Sequence, residues 1–385
     1  MAVGATLVGL AEARAQPPQW QVAIDSGAEY DTNIHRCEAD RSDCAVQAAP
    51  LARTSARLSM GWQTHPDGRL QLVGFGGTRW FADALDRGEN LAVASGDARY
   101  VWDLPARNAS LGVRGAYYDT FGFAAPAMAG AHQRHFAVAN AELHLTLIGQ
   151  ERHELTMLGG YRDFRYKPDA DFDWGGEHYG ARYHTTRWLG GDAAVAALEL
   201  SAAYELERRA YQGAALRTGS CPDGTPGPAP CLYLTGERRS DLAHRGSVEA
   251  VYTGDRIYSG RYQIDVIDSN SAGAYAQVRH RLQLGVTSEL FAGLIATAEA
   301  TLQVIRYRDT LLLARGSDLP VTDPDSFVAT DDENRNAASL HLARDLGRAW
   351  SLEGRYALYT SALAAPELGF RRQLLYLGVA YRHRP

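Results

Sequence analysis

Lysine is all but absent: Lys167 is the only one, and arginine supplies the rest of the 39 cations in a chain of 385 residues. With 45 acids the net charge is −6, and the cations form no block. That excludes a nucleic-acid surface, which needs a basic stripe or patch. No apolar run approaches the ~18 residues of a membrane-spanning helix, so a helical membrane protein is excluded too. There is no Gly-x-Ser-x-Gly elbow and no nucleophile–base set, so no enzyme, cofactor or metal is expected. His178 and His184, six apart on one strand, would stand about 20 Å from each other, too far to share a metal ion.

Cysteine is scarce and paired. Cys37 and Cys44 bracket "CEADRSDC", and Cys221 and Cys231 bracket "CPDGTPGPAPC". Neither spacing suits zinc, and both suit loop disulfides in an exported chain. The opening "MAVGATLVGLAEARAQ" has a short apolar stretch running into Ala-Arg-Ala-Gln. It reads as a remnant signal peptide over residues 1–16, leaving 17–385 as one domain.

What the chain does have is alternation. In "DAAVAALELSAAYELERRAY", residues 192–211, alanine, leucine and glutamate favour a helix by propensity. At 100° per residue the charges scatter, whereas at 180° they separate. Ala194, Ala196, Leu198, Leu200, Ala202, Tyr204 and Leu206 fall on one face, opposite Glu199, Ser201, Glu205, Glu207 and Arg209. Period two predicts a strand. The same pattern recurs in "RLSMGW", "SLGVRGAYY", "VANAELHLTL", "SGRYQIDVID", "LIATAEATLQV" and "WSLEGRYALY", and sixteen such segments can be traced between residues 25 and 377. Only "RLQLVGFGGTRWF", near residue 74, is ambiguous in phase.

Tight connections near residues 65, 105, 150, 190, 254, 287 and 347 alternate with longer ones, the longest being 211–238 and 309–334. Alternating short and long connections around an even number of strands predict a transmembrane antiparallel β-barrel of the outer-membrane kind, short turns in the periplasm and long loops outside. The apolar faces carry no charge, as lipid demands: an arginine at mid-bilayer costs about 2–4 kcal/mol. Trp62, Trp102, Tyr252, Tyr258, Trp350 and Tyr381 lie on the apolar faces close to short turns or the end of the chain. They are the expected periplasmic aromatic girdle.

Sixteen strands leave a water-filled lumen. The faces turned inward carry Arg114, Glu142, Glu199, Glu205, Arg245, Arg261, Asp265, Arg279, Arg281, Glu299 and Arg355, the two signs nearly balanced. Such residues either orient hydrated solutes in a transverse field or pair across strands and stiffen the wall. Arg245, Arg261, Arg279 and Arg281 lie on neighbouring strands and suggest an anion track, which the nearby acids weaken. Loop 309–334 gathers Asp318, Asp323, Asp325, Asp331, Asp332 and Glu333 without the spacing of a calcium loop.

Within "GAEYDTNIHR", the run Tyr30-Asp31-Thr32-Asn33 resembles the opening strand of outer-membrane barrels of the β-barrel porin-2 type. The resemblance implies a passive channel for hydrophilic solutes in the outer membrane of a Gram-negative bacterium. Its lipid is the first partner. Near relatives accompany exopolysaccharide export, so a second function is a port for polysaccharide, with export components in the periplasm. Export barrels of that kind carry an N-terminal domain of paired helices, which this sequence would have to borrow from a separate protein. A third reading is a plugged structural or adhesive barrel, favoured if loop 211–238 or 309–334 folds inward. Arg382, His383, Arg384 and Pro385, after Tyr381, are expected either to trail into the periplasm or to displace the usual aromatic assembly signal.

Overall fold

The computed structural model describes residues 17–34, 46–82, 90–122, 135–149, 153–167, 169–189, 196–219, 231–272, 275–308, 336–360 and 371–383. The chain runs through sixteen strands. The first eight are β1 (Gln19–Asp31), β2 (Ala49–His65), β3 (Gly68–Phe81), β4 (Leu91–Leu104), β5 (Ala109–Gly122), β6 (Phe136–Ile148), β7 (His153–Tyr166) and β8 (Trp174–Leu189). The second eight are β9 (Ala196–Gly219), β10 (Cys231–Thr253), β11 (Arg256–Ser269), β12 (Gln277–Glu289), β13 (Leu294–Tyr307), β14 (Asn336–Asp345), β15 (Trp350–Thr360) and β16 (Arg371–His383). Each pairs antiparallel with its sequence neighbours, and β1 pairs with β16 to close a barrel. Closure satisfies every strand edge, the one arrangement by which a sheet can cross lipid.

Length fits that task. At about 3.3 Å per residue and a tilt of about 40°, ten residues rise about 25 Å, the height of the apolar band of such barrels. The shortest described strand, β14, has 10 residues. The outward face is the apolar one throughout. Ile24, Leu58, Leu72, Val113, Leu143, Leu200, Val248, Leu284, Leu302, Leu340, Leu352 and Leu377 are all exposed large hydrophobics. A continuous apolar belt around a closed barrel has no aqueous explanation at this size. The fold is a sixteen-strand transmembrane β-barrel.

The opening alanine-rich segment belongs to β9 and is extended from Ala196 onward. Small side chains serve on that face because lipid tails, not a jigsaw core, surround them. The phase of β3 is settled by its neighbours. Trp80 is exposed to the outside, whereas Arg79 and Phe81 are buried on the inside. The glycines Gly27 and Gly378 face each other across the closing seam. The ring of Tyr376 lies against both, so a Cβ at either position would collide with it. An aromatic side chain covering strand glycines in this way protects an otherwise weak pairing.

Two expectations need correction. Residues 211–219 and 231–238, expected in a loop, belong to strands: β9 and β10 run on for 24 and 23 residues, and Cys231–Leu234 pairs with Leu216–Gly219. That ribbon stands clear of β8, whose last pair with β9 is Trp174↔Tyr211. Asn270 and Ser271 brace its root through bonds to Ser240, Arg238 and Leu216. Regular pairing there satisfies backbone groups that a loop would leave to water. The C-terminal end is the second correction. Arg382 and His383 do not trail free but pair in β16 with Ala23 and Val22. Arg382 bonds Glu353 at 3.1 Å, and the His383 ring lies 5.0 Å from that of Trp20.

The outward face also holds histidines. The Tyr204 and Tyr262 hydroxyls each lie 2.7 Å from an Nδ1, of His244 and His280 respectively, on neighbouring strands. A polar ring on the lipid side needs such a partner, because an unmade bond costs more there than in water. Tyr204→Phe is expected to destabilise the barrel by about 1 kcal/mol, and His244→Phe in the same background to restore most of it. Urea titration of the barrel in detergent reads both changes.

Candidate functional site

The lumen is built from every second residue of the strands. A cavity of about 1210 Å³ lies within the barrel, bordered by residues of fourteen strands, all but β12 and β13. Among the sequence-derived lining residues, Arg114, Glu142, Glu205, Arg245, Arg261 and Arg355 border it. Asp265, Arg279 and Arg281 turn inward but are buried in the wall. Glu199 and Glu299 share the inward faces of β9 and β13 yet lie outside the cavity border.

Most of these charges are engaged in ion-pair clusters across neighbouring strands. Arg114 bridges Asp97 at 2.6 Å and Glu142 at 3.4 Å, and Glu142 also meets Asn140, His144 and His178. Arg162 pairs with Glu207 at 2.7 Å and Glu205 at 3.6 Å, and Arg209 bonds Glu207 from the far side. Arg245 and Arg279 hold Asp265 between them, each at 2.8 Å. Arg281 donates to Gln303 and Arg261 to Gln263. Glu353 gathers His341, Arg355 and Arg382, and Arg355 continues to Asp25, which accepts from the Tyr376 hydroxyl. The suggested arginine track is therefore interrupted: two of its four members clamp one aspartate, and the other two donate to glutamines.

The carboxylates at the cavity border stand on β1, β4, β6, β9 and β15 rather than together on one side of the wall. The near balance of signs counted along the strands does not hold at the cavity. Nine arginines border it against five carboxylates, Asp25, Asp97, Glu142, Glu205 and Glu353.

Three features were not foreseen. An aromatic row climbs the inner wall through Tyr118, Phe136, Phe164, Trp174 and Tyr211, with successive ring centroids 5.2, 5.5, 5.7 and 6.4 Å apart. It forms a buried apolar cluster on β5 to β9. Its members are inward by parity, so reading every inward position as polar concealed them. Arg239 is held between the rings of Tyr211 and Tyr275, at 3.8 and 3.6 Å, at the root of the ribbon. A second group of outward aromatics, Tyr30, Trp80, Tyr117, Tyr161, Tyr179 and Tyr204, is exposed toward the long-loop end. Its signal was present as same-face aromatics at least eight residues from the short turns.

The run Tyr30–Asn33 has a local purpose. Tyr30 points outward, while Asp31 is fully buried and accepts from Arg372 Nε at 3.0 Å. The Thr32 hydroxyl accepts from the Gln373 amide at 2.8 Å, and the Asn33 side chain donates to the Arg371 carbonyl at 3.1 Å. The motif fastens β1 to β16.

Trp62, Trp102, Tyr252, Tyr258 and Trp350 are exposed near the short-turn ends. Tyr381 is half-buried against Trp350, ring centroids 5.0 Å apart. Cys37, Cys44 and Cys221, the signal-like segment 1–16 and the acidic loop 309–334 lie outside the described residues, and Cys231 opens β10. Among the described residues no group of three or more His, Cys, Asp or Glu side chains could hold a metal ion.

No family model matches the chain, and no curated protein matches it in sequence. Solved barrels are similar to it at low identity. A Salmonella typhi OmpF in complex with daunomycin is 11% identical over 94% of this chain and 97% of that one, with a TM-score of 0.48. CdiB from Acinetobacter baumannii is 10% identical over 94% and 60%, with a TM-score of 0.47. An anion-selective porin from Comamonas acidovorans is 10% identical over 96% and 100%, with a TM-score of 0.43. At such distances only this chain's own geometry can bear on its function.

Proposed function

We propose that the protein is an outer-membrane channel of a Gram-negative bacterium that passes small hydrophilic solutes through its lumen. The observation that carries this reading is the cavity of about 1210 Å³ within an apolar-skinned barrel, its border carrying nine arginines and five carboxylates among apolar side chains. A structural barrel has no need of such a lining. Short turns then face the periplasm, with Trp62, Trp102, Tyr252, Tyr258, Trp350 and Tyr381 as the girdle at that interface. On this orientation the long connections that hold Cys37, Cys44, Cys221 and Cys231 would be exterior, where disulfides persist. The Tyr30–Asn33 staple supports kinship with β-barrel porin-2 proteins.

Single-channel recording of the refolded protein in a planar bilayer tests the reading. Discrete, ohmic conductance steps are expected. A folded barrel that inserts and carries no current would mean a closed lumen and would overturn the proposal.

A further inference from the structure

We infer that the channel is selective for anions, and that a mid-strand set of arginines without a carboxylate partner among the described residues, Arg57, Arg99 and Arg182, sets that selectivity by engaging carboxylate or phosphate groups in transit. This deepens the channel reading above and rests on it. The cavity border has nine arginines against five carboxylates, an excess of four positive charges, in a chain whose net charge is −6. All five carboxylates are already engaged: each lies within 3.6 Å of at least one arginine. A cation at the cavity border meets neutralised acids.

Among the described residues the three arginines have no such partner. Arg57 stands between Ala23 and Phe75 across its strands, and Arg182 between Thr156 and Ala203. Arg99 lies directly opposite Arg114, whose own guanidinium is turned to Asp97 and Glu142. Like charges facing across a sheet are unfavourable. The Arg99 Nε is moreover buried without an acceptor. A wall that keeps such a pair, with a donor left open, is arranged for an acceptor that arrives from the lumen.

Each of the three is the ninth residue of its strand, well away from both ends. The three residues lie eight, five and seven positions from the short-turn ends of β2, β4 and β8, at His65, Leu104 and Leu189. Low-dielectric walls concentrate the field of such a set. Guanidinium is a planar fork matched to carboxylate and phosphate oxygens, and it stays charged at every working pH. The inward acids Glu199, Glu249 and Glu299 lie outside the cavity border. A lumen potential of only about one kT favours a monovalent anion over a cation by a factor of roughly seven, and several kT are usual in charged clefts.

The test is reversal potential in a tenfold potassium chloride gradient, followed by inorganic phosphate added to one side. The wild-type channel is expected to prefer chloride to potassium several-fold, and phosphate to reduce the chloride current. The triple variant R57Q/R99Q/R182Q is expected to lose most of both effects while keeping its conductance steps. Should the triple variant not fold, R182Q alone is expected to shift the reversal potential in the same direction. A conducting wild-type channel that is unselective or prefers potassium overturns this inference and leaves the channel reading intact. So does a triple variant as selective as wild type. A folded barrel without current overturns the channel reading, and this inference with it.

Discussion

Asp31→Ala is expected to destabilise the barrel by about 3–5 kcal/mol, the cost of breaking a buried ion pair from one side. Asp31 and Arg372 both have side chains 0% exposed, and they join the first strand to the last. Arg79 reaches the same carboxylate at 3.2 Å and Glu29 at 2.8 Å, and Arg53 reaches Glu29 at 3.3 Å. Removing Asp31 leaves Arg372 buried without its carboxylate at the seam where the sheet must close. The Asn33 amide loses its acceptor on Asp31 in the same step. The double variant Asp31→Ala with Arg372→Met is expected to be more stable than Asp31→Ala alone, since the stranded charge is gone. Urea midpoints read by heat-dependent gel mobility and tryptophan fluorescence measure both. A loss below about 1 kcal/mol for Asp31→Ala would mean that water reaches the seam and that the pair is a surface one.

Leu143→Arg is expected to cost about 2–4 kcal/mol in a bilayer. Leu143 is 66% exposed in the middle of β6, between Val113 on β5 and Gly159 on β7. In a water-soluble protein, a polar substitution at so open a site changes stability by no more than about 0.5 kcal/mol. The two readings of the same exposed leucine therefore differ by several-fold in expected effect. Leu147→Arg, one residue from the end of the same strand, is expected to cost only about 0–1 kcal/mol because the arginine can reach the interface. Reversible folding into lipid vesicles of defined thickness separates the outcomes. Equal, small effects at both sites would remove the membrane from the account of this belt.

The physics that made the fold legible also limited what could be read of the site. Lipid enforces period two over whole strands, because every outward residue must be apolar and every backbone group paired. That constraint is local, so it survives in "LELSAAYELE" even against helix propensity. The ribbon beyond Tyr211 escaped notice because it leaves the membrane, where alternation is no longer required. There "CPDGTPGPAPC" suggests a long loop, and only the paired backbones of β9 and β10 show that the strands continue to Gly219 and from Cys231. The phase of β3 was unreadable for a similar reason: glycines at 74, 76 and 77 carry no polarity, and pairing with β2 and β4 settles it.

The sequence by itself pointed to an antiparallel barrel of about sixteen strands and, outside β3, to the alternation of apolar and polar faces along them. Hydrophobic burial against lipid acts residue by residue, so its record is written in order along the chain. The tertiary structure alone decided which charges are spent. Arg245 and Arg279 flank Asp265 from strands either side of its own, whereas Arg57, Arg99 and Arg182 meet no carboxylate among the described residues. Neutralisation depends on side-chain reach across two or three strands, over distances of a few ångströms that no periodicity encodes.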